Sequence, residues 1–425
     1  MHTGHRIHLF AVALLLAGFL IGTVAGISLG INWKQAPPTD SPFAGVVISS
    51  DGNTVFGGGN QLLVRSWDGN RHWGGQAGSV AAMSTDGNHV VAALGEAVVM
   101  YDRDGVDSWT RNMAAPCRAV AISPNGSFVI SADDNGNLNS WAPNGDFWGR
   151  NNTDPAKRIV ISPAGDLVVA ATLGGLRFYT PSLNPVWTDN RSGSLDDYIL
   201  ISSDGSTIIT AGDTRVSSHT NTGTINWQVN VAKAAITDIA ASDDCSIILV
   251  ASQDGTVRAL DRYGNVHWTF NTVQWANAVG TSRDSSVIAV GTNDGTLFVL
   301  DHSGKLLTQR KSDTAIRPRT LAVSRDGTRI VAADQQELYG FELIGLTAGD
   351  TGSDTIYVEA PLNPVRSTAT TSPPQMPVSS QPAVTMPAET RSTALPAPAA
   401  TPKSPAALWT IVPAGAAALW LAKRK

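Results

Sequence analysis

Gly26-Ile27-Ser28-Leu29-Gly30 has the G-x-S-x-G spacing that would present a serine nucleophile at a sharp strand-to-helix turn. It sits in an uncharged N-terminal run with no such turn around it, and reads as an accidental match. Asp133-Asp134-Asn135-Gly136-Asn137 has the oxygen density of a calcium loop. Its glycine is misplaced for an EF-hand and no distal Glu completes the cage, so a tight hairpin turn is expected instead. His2, His5 and His8 share a spacing of three but only flank the apolar run, and His72, His89, His219, His267 and His302 are scattered. HExxH, CxxC, Walker A and GxGxxG elements are absent. Asp51, Asp86, Asp204, Asp244, Asp284 and Asp326 recur at matching places in successive repeats. Residues spaced in that way lie around a ring and do not converge as a catalytic pair must. The expectation is therefore no catalytic residue, no metal site and no cofactor.

The elements behind this spacing are repeats. A β-rich run, a Ser and a turn return at Ser49, Ser84, Ser123, Ser162, Ser202, Ser242, Ser282 and Ser324, at intervals of 35 to 42 residues. A period near forty filled with short strands predicts a β-propeller with one four-stranded blade per copy. Eight blades are expected over residues 30–345, with seven as the alternative. The clearest copy gives strands at 239–241, 246–252, 256–261 and 265–270, separated by turns that include Asp254-Gly255. Cys117 is expected to enter an inner strand and Cys245 to sit in a turn of another blade. A disulfide needs Cα atoms within about 7 Å, so both are expected as free thiols.

A second phrase places a Trp four residues after a Gly: Gly69 and Trp73, Gly105 and Trp109, Gly223 and Trp227, Gly264 and Trp268. Gly145 and Trp148 are one residue closer, Leu183 and Trp187 keep the spacing without Gly, and Thr308 replaces the Trp after Gly304. These indoles are expected to lie against the neighbouring blade, each removing roughly 150–250 Å² from water. The eighth copy lacks a fourth strand. Gly30 to Lys34 reads like Gly223 to Gln228, so residues 31–35, with Trp33, are expected to supply that strand from the N-terminus and close the ring.

Ala259-x-Asp261-x-x-Gly264-x-x-x-Trp268, with partial matches at Asp102-x-x-Gly105-x-x-x-Trp109 and Asp301-x-x-Gly304, resembles the tryptophan-docking repeat of the quinoprotein-like (PQQ-type) β-propellers. The Ser-x-Asp-Gly turns are similar to those of WD40-like propellers. The dehydrogenases of the quinoprotein superfamily use PQQ with calcium-binding residues and adjacent cysteines. Cys117 and Cys245 are far apart, so the resemblance implies one of the non-catalytic scaffolds.

The ends suggest an address. Residues 1–29 read as a signal peptide or signal anchor, with Leu9 to Ile31 apolar behind Arg6. Residues 346–404 are rich in Pro, Thr and Ser and read as an extended linker. Residues 405–425 read as a transmembrane helix ending in Lys423-Arg424-Lys425. Linker, helix and basic tail are similar to the sorting signals of archaeal surface proteins, though no Pro-Gly-Phe motif is present. Possible N-glycosylation sequons begin at Asn125, Asn151 and Asn190, all expected in turns or loops. Net charge is −5 and no Lys/Arg cluster occurs in the repeats, which argues against nucleic acid.

The expected function is a non-catalytic, membrane-anchored binding module at the cell surface. Its partner would be a surface protein, a glycan or an envelope component. Contact would fall on the face built from blade-joining loops and second-to-third-strand turns such as Gly58 to Gln61, Gly95-Glu96 and Asp254-Gly255. The alternatives are an extracytoplasmic quinone-dependent oxidoreductase and a structural envelope scaffold.

Overall fold

The computed structural model describes residues 27–37, 42–76, 80–189 and 198–345. Asn190, nearly all of residues 1–29 and all of residues 346–425, where a signal segment, a linker and a transmembrane helix are expected, lie outside them. The described residues form eight four-stranded antiparallel sheets, so the ring has eight blades rather than seven. Among them no helix is long and apolar enough to cross a membrane. Seven blades are continuous in sequence. In blade 6 the strands run Ile236–Ala241, Ile247–Ser252, Thr256–Asp261 and Val266–Asn271, from the innermost outward. Second strands such as Val129–Asp133 and Ile288–Thr292 are wholly buried, whereas outer strands such as Val266–Asn271 are mostly exposed. Apolar clusters bridge neighbouring blades, and one joins Val46 and Val55 of blade 1 to Val331 and Leu338 of blade 8.

Each repeated Ser is buried because its hydroxyl does two jobs. Ser49 donates to Asp51 at 2.5 Å and accepts the Thr54 N–H at 2.9 Å. Ser84, Ser202, Ser242, Ser282 and Ser324 repeat the pattern. The turn needs a left-handed residue next, and Gly52, Gly87, Gly126, Gly165, Gly205 and Gly327 supply it. Blades 6 and 7 use Cys245 (φ 53°) and Ser285 (φ 57°) instead. Ser285 also buries a hydroxyl without a partner. Ser285→Gly removes both costs, offset in part by the freer unfolded chain, for a gain of about 1 kcal/mol. A thermal midpoint raised by a few degrees is expected; a lowered one would contradict this account.

The docking phrase works as a Trp laid on the neighbour's glycine. The indole N–H groups of Trp73, Trp109, Trp227 and Trp268 donate to the carbonyls of Arg103, Pro143, Arg262 and His302 at 2.7 to 3.0 Å. A Cβ on Gly105, Gly145, Gly264 or Gly304 would come within 2.6 to 2.8 Å of those rings. Gly223 meets Trp187 in the same way.

Trp148 departs from the expectation. The residue four after Gly145 is Gly149, and Gly149 occupies the docking register opposite Ser140. Trp148 falls on the adjoining bulge and is 52% exposed. The facing turn of blade 4 has the complementary change. Leu183 takes the left-handed position at φ 63° and is buried, while a Cβ on Gly149 would collide with the Ser182 carbonyl. Large and small have exchanged sides of this interface.

The eighth sheet is closed by Ser28–Gln35, paired antiparallel with Leu338–Ile344, with Trp33 opposite Gly340. The strand starts earlier than expected, and Leu29 is buried in the cluster between blades 7 and 8. The boundary placed at residue 29 is thus corrected, since Ser28 and Leu29 belong to the ring. Blade 8 has no third-to-fourth-strand turn, so blade 7 has no glycine to dock on, which accounts for Thr308. At the seam Arg65 stacks on Trp33 at 4.0 Å, Trp33 meets Trp67 edge-on at 5.7 Å, and Arg329 stacks on Trp67 at 4.9 Å.

Candidate functional site

Antiparallel strands alternate direction, so blade-joining loops and second-to-third-strand turns share one face. Backbone bonds tie them together there: Met113 to Glu96, Thr153 to Gly136, Thr272 to Gly255 and Ser312 to Gly295, at 2.7 to 2.9 Å. On the opposite face the Ser-x-Asp turns join blade to blade, as in Ser203 to Asp243 and Asp243 to Arg283. Asp243 also pairs there with Arg283 and Arg325. The recurring aspartates are therefore turn-holders on the face away from the loops. Partial burial raises the carboxyls of Asp51, Asp86 and Asp326, but their Ser and backbone donors outweigh it and hold them below the usual range.

The convergent side chains lie where inner strands begin, at the loop-face mouth of the central channel. Arg158, Tyr198 and Asp238 hold one register position in blades 4, 5 and 6, each paired with an Ala of the second strand. Blades 3 and 7 have Ala119 and Ala278 there. The guanidiniums of Arg158 and Arg319 stand 5.5 and 4.7 Å from the centre of the Tyr198 ring. Arg319 is exposed, comes from the loop into blade 8, and has its backbone at φ 63°. A relay of bonds fixes the mouth: Tyr198 Oη donates to the Thr237 carbonyl and Thr237 Oγ1 to the Ala276 carbonyl. Asn277 Nδ2 continues it to the Ile316 carbonyl at 2.8 Å. One residue before Ala276, Trp275 is exposed, and Val273 is 82% exposed at φ 67°. A β-branched residue rarely adopts that conformation. The loop holds it there through Val273 N–H to Asn271 Oδ1 at 2.8 Å and Asn293 N–H to the Trp275 carbonyl at 3.0 Å.

The repeated turns concealed this cluster from sequence reasoning, but a signal existed. Four residues before each repeated Ser the chain has Gly45, Val80, Ala119, Arg158, Tyr198, Asp238, Ala278 and Thr320. Three consecutive large polar residues interrupt a series of small ones, and this position of an innermost strand packs toward the next blade, as Tyr198 does on Thr237 and Asp238 on Val279.

Burial pushes the Asp238 carboxyl up to about 7, against the Val279 and Ile239 N–H groups and the Arg319 and Arg158 charges, which favour its ionised form. The unfolded side chain titrates near 4, so between about pH 4 and 7 the folded state holds a proton that the unfolded chain has released. Its contribution is fully present below that window and lost as pH rises through it. The turn aspartates act in the opposite sense, losing stability as pH falls below about 4. In Asp238→Asn the decline in thermal midpoint between about pH 5 and 8 should flatten by several degrees relative to the native chain. Parallel curves would show that Asp238 is ionised throughout.

Of the other expected residues, Cys117 and Cys245 are free and buried, and burial pushes their thiols up to about 11 and 12. No group of three or more His, Cys, Asp or Glu among the described residues could hold a metal ion. Asn125 is exposed in its turn, with Oδ1 accepting the Ser127 N–H at 3.1 Å. Asn151 lies in the outer strand Phe147–Asn152, not in a loop. Its Nδ2, the atom a glycan would take, donates to the Leu183 carbonyl at 3.2 Å. A glycan there would have to displace the next blade's turn.

The sequence matches a model of the WD domain, G-beta repeat, over residues 110–142, and one of the lambda-carrageenase beta-propeller domain over residues 208–332. The ring is a β-propeller, and one stretch of it is similar to the WD40 repeat. Similar solved propellers include the computationally designed Ika8 protein, at 15% identity and a TM-score of 0.59 over 72% of this chain and 97% of that one. The C-terminal WD40 domain of Sif2 is similar at 14% identity and a TM-score of 0.59, over 74% and 98% of the two chains. Chaetomium thermophilum Sqt1, solved bound to the N-terminus of the ribosomal protein L10, is similar at 13% identity and a TM-score of 0.59, over 72% and 98%. At these identities the likeness is one of fold. No curated protein matches the chain.

Proposed function

We propose that this propeller is a non-catalytic interaction module, displayed outside a membrane on a stalk, that holds a surface component on its loop face at the channel mouth. The observation that carries the binding role is the convergence of Arg158, Tyr198 and Arg319 on the loop face, the same face that carries the positive-φ, exposed Val273 and the exposed Trp275. Backbone strain at an exposed apolar residue persists only where its surroundings enforce it, and such positions concentrate at binding sites. WD40-type repeats and the Sqt1–L10 complex support a protein partner. The apolar N-terminal run, the Pro-rich linker and the basic-tailed apolar C-terminus support the external address.

Capture from host membrane extract with the full chain tests the binding role. Trp275→Ala should reduce retention of the partner about tenfold, an interface hot-spot effect. Trp148→Ala, on the outer rim, should leave it unchanged. Equal retention by both would remove the loop face from consideration. Protease added to intact cells should cleave the propeller if it is displayed outside, and spare it if it is not.

A further inference from the structure

Arg319 joins opposite walls of the ring. It lies in the turn Arg317-Pro318-Arg319-Thr320 that leads into blade 8, closed by the Thr320 N–H on the Arg317 carbonyl at 3.3 Å. Its own carbonyl accepts the Val46 N–H of blade 1 at 3.2 Å, while its guanidinium stands 4.7 Å from the centre of the Tyr198 ring of blade 5. In a ring of eight, blades 1 and 5 face each other across the central channel, so this one residue spans the mouth. The position is a costly one for an arginine. With Pro318 before it and φ at 63°, Arg319 takes the corner of the turn that favours Gly or Asn. Such strain persists only where the surroundings enforce it.

The hold on Arg319 is electrostatic and comes from blades 4, 5 and 6. Arg158 of blade 4 approaches the same ring at 5.5 Å, so two like charges share Tyr198. The Asp238 carboxylate of blade 6 attracts both. It is fixed in place by the Ile239 N–H at 3.1 Å and the Val279 N–H of blade 7 at 3.2 Å. Arg158, Arg319 and Tyr198 are the charged or titratable groups that act on it. The strands packed against Ile236–Ala241, namely Ile247–Ser252 and Ala276–Thr281, carry none. Neutralising Asp238 leaves the two guanidiniums to repel each other. Arg158 is half-buried on an innermost strand, so the exposed Arg319 is the one that yields.

We propose that Arg319 is a latch across the channel mouth, docked on Tyr198 while Asp238 is a carboxylate and released, with its turn, when Asp238 takes a proton. The latch belongs to the ring itself, whichever partner the loop face holds. Burial brings the Asp238 carboxyl up to about 7, so release falls within the physiological range. This local loosening in acid runs against the global trend, in which the contribution of Asp238 to stability grows as pH falls, so the two are separable.

Hydrogen exchange of the full chain, followed by mass spectrometry on the segments that contain Val46 and Thr320, tests the latch. After correction for the intrinsic rates, both segments should exchange about tenfold faster at about pH 5 than at about pH 8, a decade for each unit by which docking shifts the coupled titration. Arg319→Asn keeps a residue suited to the left-handed corner and removes the guanidinium; it should exchange fast at both pH values. Asp238→Asn, neutral throughout, should do the same. Arg325→Gln, on the opposite face, should keep the native pH dependence. Unchanged protection of the remote strand Val129–Asp133 establishes that a variant folds. Should Asp238→Asn fail that check, Arg319→Asn decides, since Arg319 is exposed and lies outside the core. Equal protection of the native segments at both pH values, or native protection in Arg319→Asn, would overturn the proposal. Partner capture plays no part in this readout, so the loop-face function and the latch fail separately.

Discussion

Removing Ser28–Gln35 should lower the thermal midpoint by about 10 °C or more, the largest effect expected of any short deletion in the ring. The strand contributes seven register pairs to the eighth sheet and buries Leu29 between blades 7 and 8. Burial of a Leu is worth about 1.5–3 kcal/mol and each net hydrogen bond about 0.5–1.5 kcal/mol. Against a total of about 5–15 kcal/mol for a folded protein, that loss is large. It also removes Trp33 from beneath Arg65 and uncovers the third strand of blade 8 as a new edge. Should the deleted chain aggregate, a peptide covering residues 27–37 added in trans should restore solubility and part of the midpoint. A deletion that melts like the native chain would show that blades 1 and 8 hold the ring shut unaided.

Trp109→Ala should cost about 3–5 kcal/mol, the range for removing a buried large aromatic, whereas Trp148→Ala should cost under about 0.5 kcal/mol, as exposed substitutions do. Trp109 is 6% exposed, gives its indole N–H to Pro143, and fills the space left by the absent Cβ of Gly145. Trp148 lies on a bulge with half its surface in water. Chemical denaturation of the two variants separates them, and comparable losses would mean that the bulge indole also holds blades together. The exchange at the next interface sharpens the point: Gly149→Trp would drive an indole into the Ser182 turn and should destabilise, although it restores the Gly-x-x-x-Trp spacing.

The repeated Ser, the Asp two residues on and the Gly–Trp spacing set the eight-bladed architecture from the sequence alone. Each is a local device, a turn or a contact to the adjacent blade, and local devices repeat visibly at a fixed period. The clasp was legible too, because Gly30 to Lys34 copies the phrase of an ordinary outer strand and the eighth copy lacks one. Its true start at Ser28 was hidden, because an apolar residue reads alike in a leader and in a buried strand. Trp148 misled because a bulge shifts the register by one, and only the pairing of Ser140 with Gly149 shows it. The channel mouth depended on tertiary structure altogether. Arg158, Tyr198, Asp238 and Arg319 come from four repeats, and ring closure alone turns a separation of forty residues into a few ångströms.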